Sequence, residues 1–228
     1  MSFLRVSFIA ILAWTTCVSH GQAFITEVNL NEIGKVKVRN FINENFPDPI
    51  GLNRVNASLP PNICSRDYHV HEKEYSFDRN CETVWKHYVD TDPGKGWSTG
   101  IISTELIYSK SSKSYSYSGD ANDGLQVGQV LFLNLQFLFG VYDLAMAFEI
   151  TSIDQSTSTL EFSYIDKNYT KGKQVIRFEK LDDNSTLIHH TSYYKSSSSF
   201  RDHFLYPFFH KMVINGFHKN MSRLMISE

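Results

Sequence analysis

The sequence predicts an α+β domain in which a curved antiparallel sheet of six or seven strands packs against one long C-terminal helix. Three patterns predict it. From residue 101 to residue 194, apolar and polar side chains alternate in run after run, the period-2 signature of antiparallel strands with one face on a core. Residues 81–88 repeat apolar side chains at helical spacing instead. Residues 208–224 do so over a longer and stronger stretch, which reads as an amphipathic helix.

The elements follow in chain order. Met1 to Ala23 reads as a cleavable secretory signal: Arg5 supplies a positive start, Val6 to Trp14 is apolar apart from Ser7, and Gly21-Gln22-Ala23 places small residues where a signal peptidase cuts, leaving Phe24 first. The apolar stretch is about half the ~20 residues needed to cross a bilayer. A buried N-terminal helix is one alternative. A lipoprotein signal at Cys17 is another, although Trp14-Thr15-Thr16 departs from that pattern. Phe24 to Arg66 reads as an extension, a strap over the domain or a passive arm. It has one helix within residues 31–46, carrying Ile33, Val36, Val38, Phe41 and Ile42, and a stretch broken by Pro47, Pro49, Pro60 and Pro61.

The domain proper runs from residue 67 to residue 228. Tyr68 to Phe77 is a strand. Asp78 or Asn80 can cap the helix that buries Cys81, Val84, Trp85 and Tyr88, and Asp92-Pro93-Gly94 ends it. Strands follow at Ile101–Tyr108 and Tyr115–Tyr117, then a polar loop from Gly119 to Gly128. Four strongly alternating strands come next, around Leu131–Phe137, Leu144–Ile150, Leu160–Tyr164 and Ile176–Phe178, and a last one at Thr186–Tyr194. One apolar and one polar face imply a sheet wet on one side. Pro207 opens the final helix, whose buried stripe is Phe208, Phe209, Met212, Val213, Gly216, Phe217, Met221 and Leu224, with His210 and His218 at its edge or outer side.

Composition limits the function classes. Hydrophobic residues make up 42% and aromatic residues 14%, enough to build a core. A net charge of −2 and the lack of a basic stripe argue against nucleic acid. No apolar run after residue 23 is long enough to span a membrane. With Cys17 removed, Cys64 and Cys81 form an even pair suited to a disulfide in an oxidising compartment, the other reading being two reduced thiols. Asn-x-Ser/Thr triplets occur at Asn56, Asn168, Asn184 and Asn220.

Chemistry-bearing motifs are sparse. His69-x-His71 shares one strand face, but no third metal ligand has a fixed spacing to it. Of His189-His190, one looks inward, where a polar anchor or an acid/base group could stand. Arg201-Asp202-His203 has no nucleophile motif to serve, and its Asp is explained by a helix start. No P-loop, dinucleotide fingerprint or Cys-x-x-Cys pair implies a cofactor.

Glu74-Tyr75-Ser76-Phe77, leading into Asn80-Cys81-Glu82-Thr83-Val84-Trp85-Lys86-His87-Tyr88, then Asp92-Pro93, Trp97 and the helix from Tyr206, resemble the START/polyketide-cyclase-like superfamily of helix-grip proteins. The resemblance covers Tyr68 to Glu228. The N-terminal extension departs from the commonest cytosolic members. The resemblance implies a hydrophobic cavity between sheet and final helix. Its expected lining is Leu133, Leu135, Met146, Phe148, Phe162, Tyr164, Phe178, His190, Met212, Gly216 and Phe217. A filled core of the same composition is the alternative. The leading expectation is a secreted or periplasmic carrier of a small apolar ligand, without cofactor or metal. The rivals are a cyclase, isomerase or hydrolase using His190 and Tyr164, and an interaction module working through its arm. A lipocalin-like barrel is the runner-up fold, disfavoured by the early helix and by Lys95-Gly96-Trp97.

Overall fold

The computed structural model describes residues 27–48, 51–60 and 66–227, the side chain of Phe139 excepted. The expected signal, Met1 to Ala23, lies outside the described residues, and so does Cys64. The strands are β1 (His69–Phe77), β2 (Ile102–Ser109), β3 (Ser114–Tyr117), β4 (Gln129–Phe137), β5 (Tyr142–Asp154), β6 (Thr159–Tyr164), β7 (Lys171–Asp182) and β8 (Ser185–Lys195). They form one curved antiparallel sheet of eight strands, in the order β1-β8-β7-β6-β5-β4-β2-β3. Every stretch read as a strand joins the sheet, the short β3 included, which pairs from Leu106↔Tyr117 to Ser109↔Ser114, so the count passes the six or seven expected. From β4 to β8 each strand pairs with the next, and β1 closes the far edge against β8.

The helices are α1 (Val36–Asn45), α2 (Cys81–Asp90), the single turn α3 (Pro93–Gly96) and α4 (Tyr206–Ser227). Asn80 caps α2 by accepting a bond from the Thr83 N–H at 2.9 Å. Asp92 does the same for the Gly94 N–H at 2.8 Å, with Pro93 in the first turn of α3. α2 and α4 pack on the inner face of the sheet. Trp97 stacks on Phe217, ring centroids 4.0 Å apart, and meets Phe162 edge-on at 5.1 Å. Phe178 packs edge-on against both Trp85 and Tyr88. No helix among the described residues is long and apolar enough to cross a membrane.

Two expectations need correction. The sheet is not wet across its outer face. Residues 28–48 and 51–55 cover that face with Ile33, Val38, Phe41, Ile42, Phe46, Leu52 and Val55, which pack on Leu106, Tyr108, Val130, Phe132 and Ala147 as a second core. The Phe41, Phe46 and Phe132 rings lie within 6.5 Å of one another. The arm is pinned by backbone N–H groups: Asn29 donates to the Tyr117 hydroxyl at 2.7 Å and Lys35 to Glu105 Oε2 at 3.0 Å. Further along, the Ser58 N–H donates to the Tyr164 carbonyl at 2.7 Å, beside an antiparallel bridge between Ala57 and Ile165.

The second correction concerns α4. Its buried face carries His210, Ile214, Phe217, His218, Asn220 and Met221, so His210 and His218 face inward. Phe208 and Met212 lie on the exposed side, at 61% and 39% exposure. The helix turns polar residues inward because each finds a partner: Asn220, for one, donates to the carbonyls of Lys95 and Gly96 at 2.9 Å each. That buries one expected glycosylation triplet. Asn168 is buried too, bonded to both backbone groups of Ala147, whereas Asn56 and Asn184 are exposed. Cys81 lies in the first turn of α2, where burial raises its pKa; its expected bridge to Cys64 falls outside the described residues.

Candidate functional site

A cavity of about 210 Å³ opens between the sheet and α4. β4 contributes Leu135 and Phe137, β5 contributes Leu144, Met146 and Phe148, and β6 contributes Phe162 and Tyr164, because alternate residues of each strand share the inner face. α4 supplies Tyr206, Phe209, His210, Val213 and Ile214, and Trp97 also borders the space. Tyr142, Tyr169 and Leu205, all exposed, line its outer part with Arg201, whose guanidinium lies 5.4 Å from the Tyr169 ring centroid. Arg201 and Leu205 belong to a π-helical turn, Arg201–Leu205, that leads into α4.

Of the expected lining, Leu135, Met146, Phe148, Phe162, Tyr164 and His190 border this space. Leu133, Phe178 and Phe217 do not. They point inward but are consumed by packing, Phe217 against Trp97 and Tyr88. Met212 is on the outer side of α4. Gly216 faces Thr99, whose Oγ1 would lie 3.6 Å from an added Cβ, so it serves close packing rather than ligand space.

One end of the cavity is polar and densely hydrogen-bonded. Gln174, on β7, donates its amide N–H groups to the hydroxyls of Tyr164 at 2.9 Å and Tyr206 at 3.2 Å, and those hydroxyls bond each other at 2.8 Å. Tyr206 is held flat between Tyr194 and His210, with centroids 3.7 and 4.8 Å away. The Gln174 carbonyl accepts from His190 Nε2 at 2.8 Å and His210 Nε2 at 3.0 Å, and from Ser192 Oγ. Those bonds fix the tautomers in turn. His190 Nδ1 must then accept from His218 Nε2, 2.8 Å away, and His218 Nδ1 from the Tyr88 hydroxyl, 2.8 Å away. On the other branch His210 Nδ1 accepts from His71 Nδ1 at 3.2 Å, which brings the chain to the half-buried β1.

The four imidazoles of this hydrogen-bonded run, His71, His190, His210 and His218, all have lowered pKa values. Burial, reinforced by the neighbouring His71, lowers the His190 pKa to about 3. Burial pushes His210 and His218 well below the usual histidine value, with the other imidazoles adding to it. Burial and the charges of Lys73 and Lys211 lower His71. Burial raises Tyr164 to about 12, against the bonds from Tyr206 and Gln174 and the positive charge of Arg201. Tyr206 rises well above its ordinary value for the same leading reason.

Sequence reasoning found His190 and Tyr164 but missed Gln174, Ser192, His210, His218 and Tyr206. Gln174 and Ser192 share the inward register of β7 and β8 with Ile176 and His190, a signal obscured by their polarity. His69 and His71, paired by spacing, have separate surroundings. His71 meets His210, while His69 lies 3.9 Å from Asp202 and edge-on to His203.

No protein-family model and no curated protein matches the sequence. Solved structures do match in shape. A START superfamily protein from Mycobacterium smegmatis aligns at 13% identity over 70% of this chain and 98% of its own, with a TM-score of 0.48. Norcoclaurine synthase from Thalictrum flavum aligns at 15% identity over 70% and 87%, with a TM-score of 0.51. A protein from Thermus thermophilus aligns at 11% identity over 70% and 98%, with a TM-score of 0.52. The last two alignments show that the chain shares their fold, a curved antiparallel sheet gripping a long C-terminal helix.

Proposed function

We propose that this is an exported binding protein that holds a small, largely apolar molecule in the cavity between sheet and α4. The observation that carries the reading is the cavity itself: aromatic and aliphatic walls, an open mouth and one ordered polar end. An apolar cavity of about 150 Å³ already admits benzene, so 210 Å³ suits a body of one or two rings or a short branched chain. Burial of that body supplies the affinity, and the polar end supplies orientation. Norcoclaurine synthase, which shares the fold, is in complex with dopamine and hydroxybenzaldehyde in its structure, ring molecules of comparable size. The pattern of Met1 to Ala23 supports export.

The continuous imidazole chain favours a second reading, an acid/base enzyme working at His190. It is the weaker of the two. Both His190 nitrogens are engaged, and a base with a pKa of about 3 is poorly matched to proton abstraction near neutral pH.

Native mass spectrometry and solvent extraction of the purified protein test the binding reading. An apolar molecule should co-purify, or an environment-sensitive dye should bind with micromolar affinity. Val213→Trp, which fills the cavity from α4, should weaken either by at least tenfold. Absence of both signals from the folded protein would sink the reading.

A further inference from the structure

The charge and hydrogen-bond inventory of the cavity specifies the chemistry of its ligand more narrowly than its shape does. Among the described residues, Arg201 is the single formally charged side chain that lines the cavity, and no carboxylate borders the space. Its guanidinium makes no ion pair among the described residues and has the Tyr169 ring as its neighbour. The adjacent Asp202 is turned away, accepting from the Ser196 N–H at 2.9 Å. The imidazoles that reach the cavity, His190 and His210, have all four nitrogens engaged and add no positive charge.

Proton counting at the tyrosine pair adds a second, independent element. Tyr164 and Tyr206 carry two hydroxyl protons. Both oxygens accept from Gln174, and one proton fills the bond between them. The other has no acceptor among the described residues, although Tyr164 is buried. A buried donor left unmatched is costly, and it is an invitation to an acceptor atom on a ligand. The Arg201 charge acts on the Tyr164 hydroxyl, so the spare donor and the cation address the same region.

We infer that the cavity selects an apolar molecule bearing one anionic group, a carboxylate in the simplest case, held between Arg201 and the Tyr164–Tyr206 hydroxyl pair. This rests on the binding reading above and narrows it. The apolar body lies against Leu135, Met146 and Phe148. The anion receives the spare O–H and a charge-assisted bond from the guanidinium. No bond is made or broken.

Three naphthalene probes of matched size separate the outcomes: 2-naphthoate, 2-naphthalenemethanol and 2-naphthylmethylammonium, each titrated calorimetrically into the purified protein at pH 7.5. The naphthoate should bind about tenfold tighter than the alcohol, the equivalent of about 1.4 kcal/mol, and the ammonium should bind weakest. Arg201→Gln should bring the naphthoate-to-alcohol ratio close to one, while Arg201→Lys, which keeps the charge, should preserve most of it. Equal binding of acid and alcohol, or a preference that survives Arg201→Gln, overturns the inference and leaves the cavity reading standing. If none of the three probes binds, both fall together.

Discussion

Gln174 is the residue on which the polar end of the cavity depends. It joins Tyr164 and Tyr206 on one side to His190, His210 and Ser192 on the other, and the direction of its amide sets every tautomer in the imidazole chain. Gln174→Leu keeps the volume but strands several buried polar atoms at once. Each such loss costs about 1–3 kcal/mol, partly relieved by rearrangement, so urea denaturation should register about 3 kcal/mol of destabilisation. Asn134 is the opposite case. It is fully buried on the outer face of β4, opposite Ser103 on β2, and neither its amide nor the Ser103 hydroxyl has a partner among the described residues. Asn134→Leu should therefore stabilise the protein by about 1 kcal/mol. A loss in the same denaturation assay would mean that the amide is bonded in solution.

At the scale of elements, α1 and α4 show what pattern reading could and could not recover. The strands were legible because alternation at period 2 survives even where the second face is also buried. β4 reads Leu131, Leu133, Leu135 inward and Val130, Phe132 outward, and that doubly apolar stretch was itself a hint of a second core. What the pattern lacked was the identity of the covering element, since α1 is joined to β4 and β5 by nothing local. α4 was legible as a helix and in most of its inward stripe, since Phe209, Val213, Phe217, Met221 and Leu224 do pack on the core, but the polar part of its buried face was not. Assigning apolar residues inward turned Phe208 and Met212 to the core and His210 and His218 to solvent, whereas the structure does the reverse. Hydrophobic periodicity assumes that buried positions are apolar, and it fails where a polar network is satisfied inside. The cavity inherits that error: Leu135, Met146, Phe148 and Phe162 were found on its strands, Phe137 and Leu144 were not, and most of its polar end was missed. α1 supports a separate prediction. Phe41→Ala removes a ring packed on Phe46 and Phe132 and should cost about 3 kcal/mol while leaving probe affinity in the cavity unchanged, because the two cores lie on opposite faces of the sheet. A matching drop in affinity would show that the faces are coupled.

For the whole molecule, the neutral imidazoles tie stability to pH. In the unfolded chain a histidine takes up its proton near 6.5, but folded His190 resists to about 3, and His210 and His218 are also shifted well down. Below pH 6.5 the unfolded state therefore binds more protons, so stability falls as pH drops and is fully present above that value. Each buried imidazole contributes a slope of about 1.4 kcal/mol per pH unit within its window. Urea midpoints measured at pH 7.5, 6 and 5 should decline steeply over the last step, and a flat profile would mean that the imidazoles charge without loss of the fold. The arm has another consequence, for the order in which the protein is completed. Its anchors join residues 70, 88, 104 and 114 positions apart in the chain. Loop closures of that length are slow to form. The arm thus waits for a docking face made much later, and until β4 to β7 assemble it travels as an unsatisfied apolar strand of chain, the stage at which a nascent copy is most exposed to proteolysis and to its neighbours.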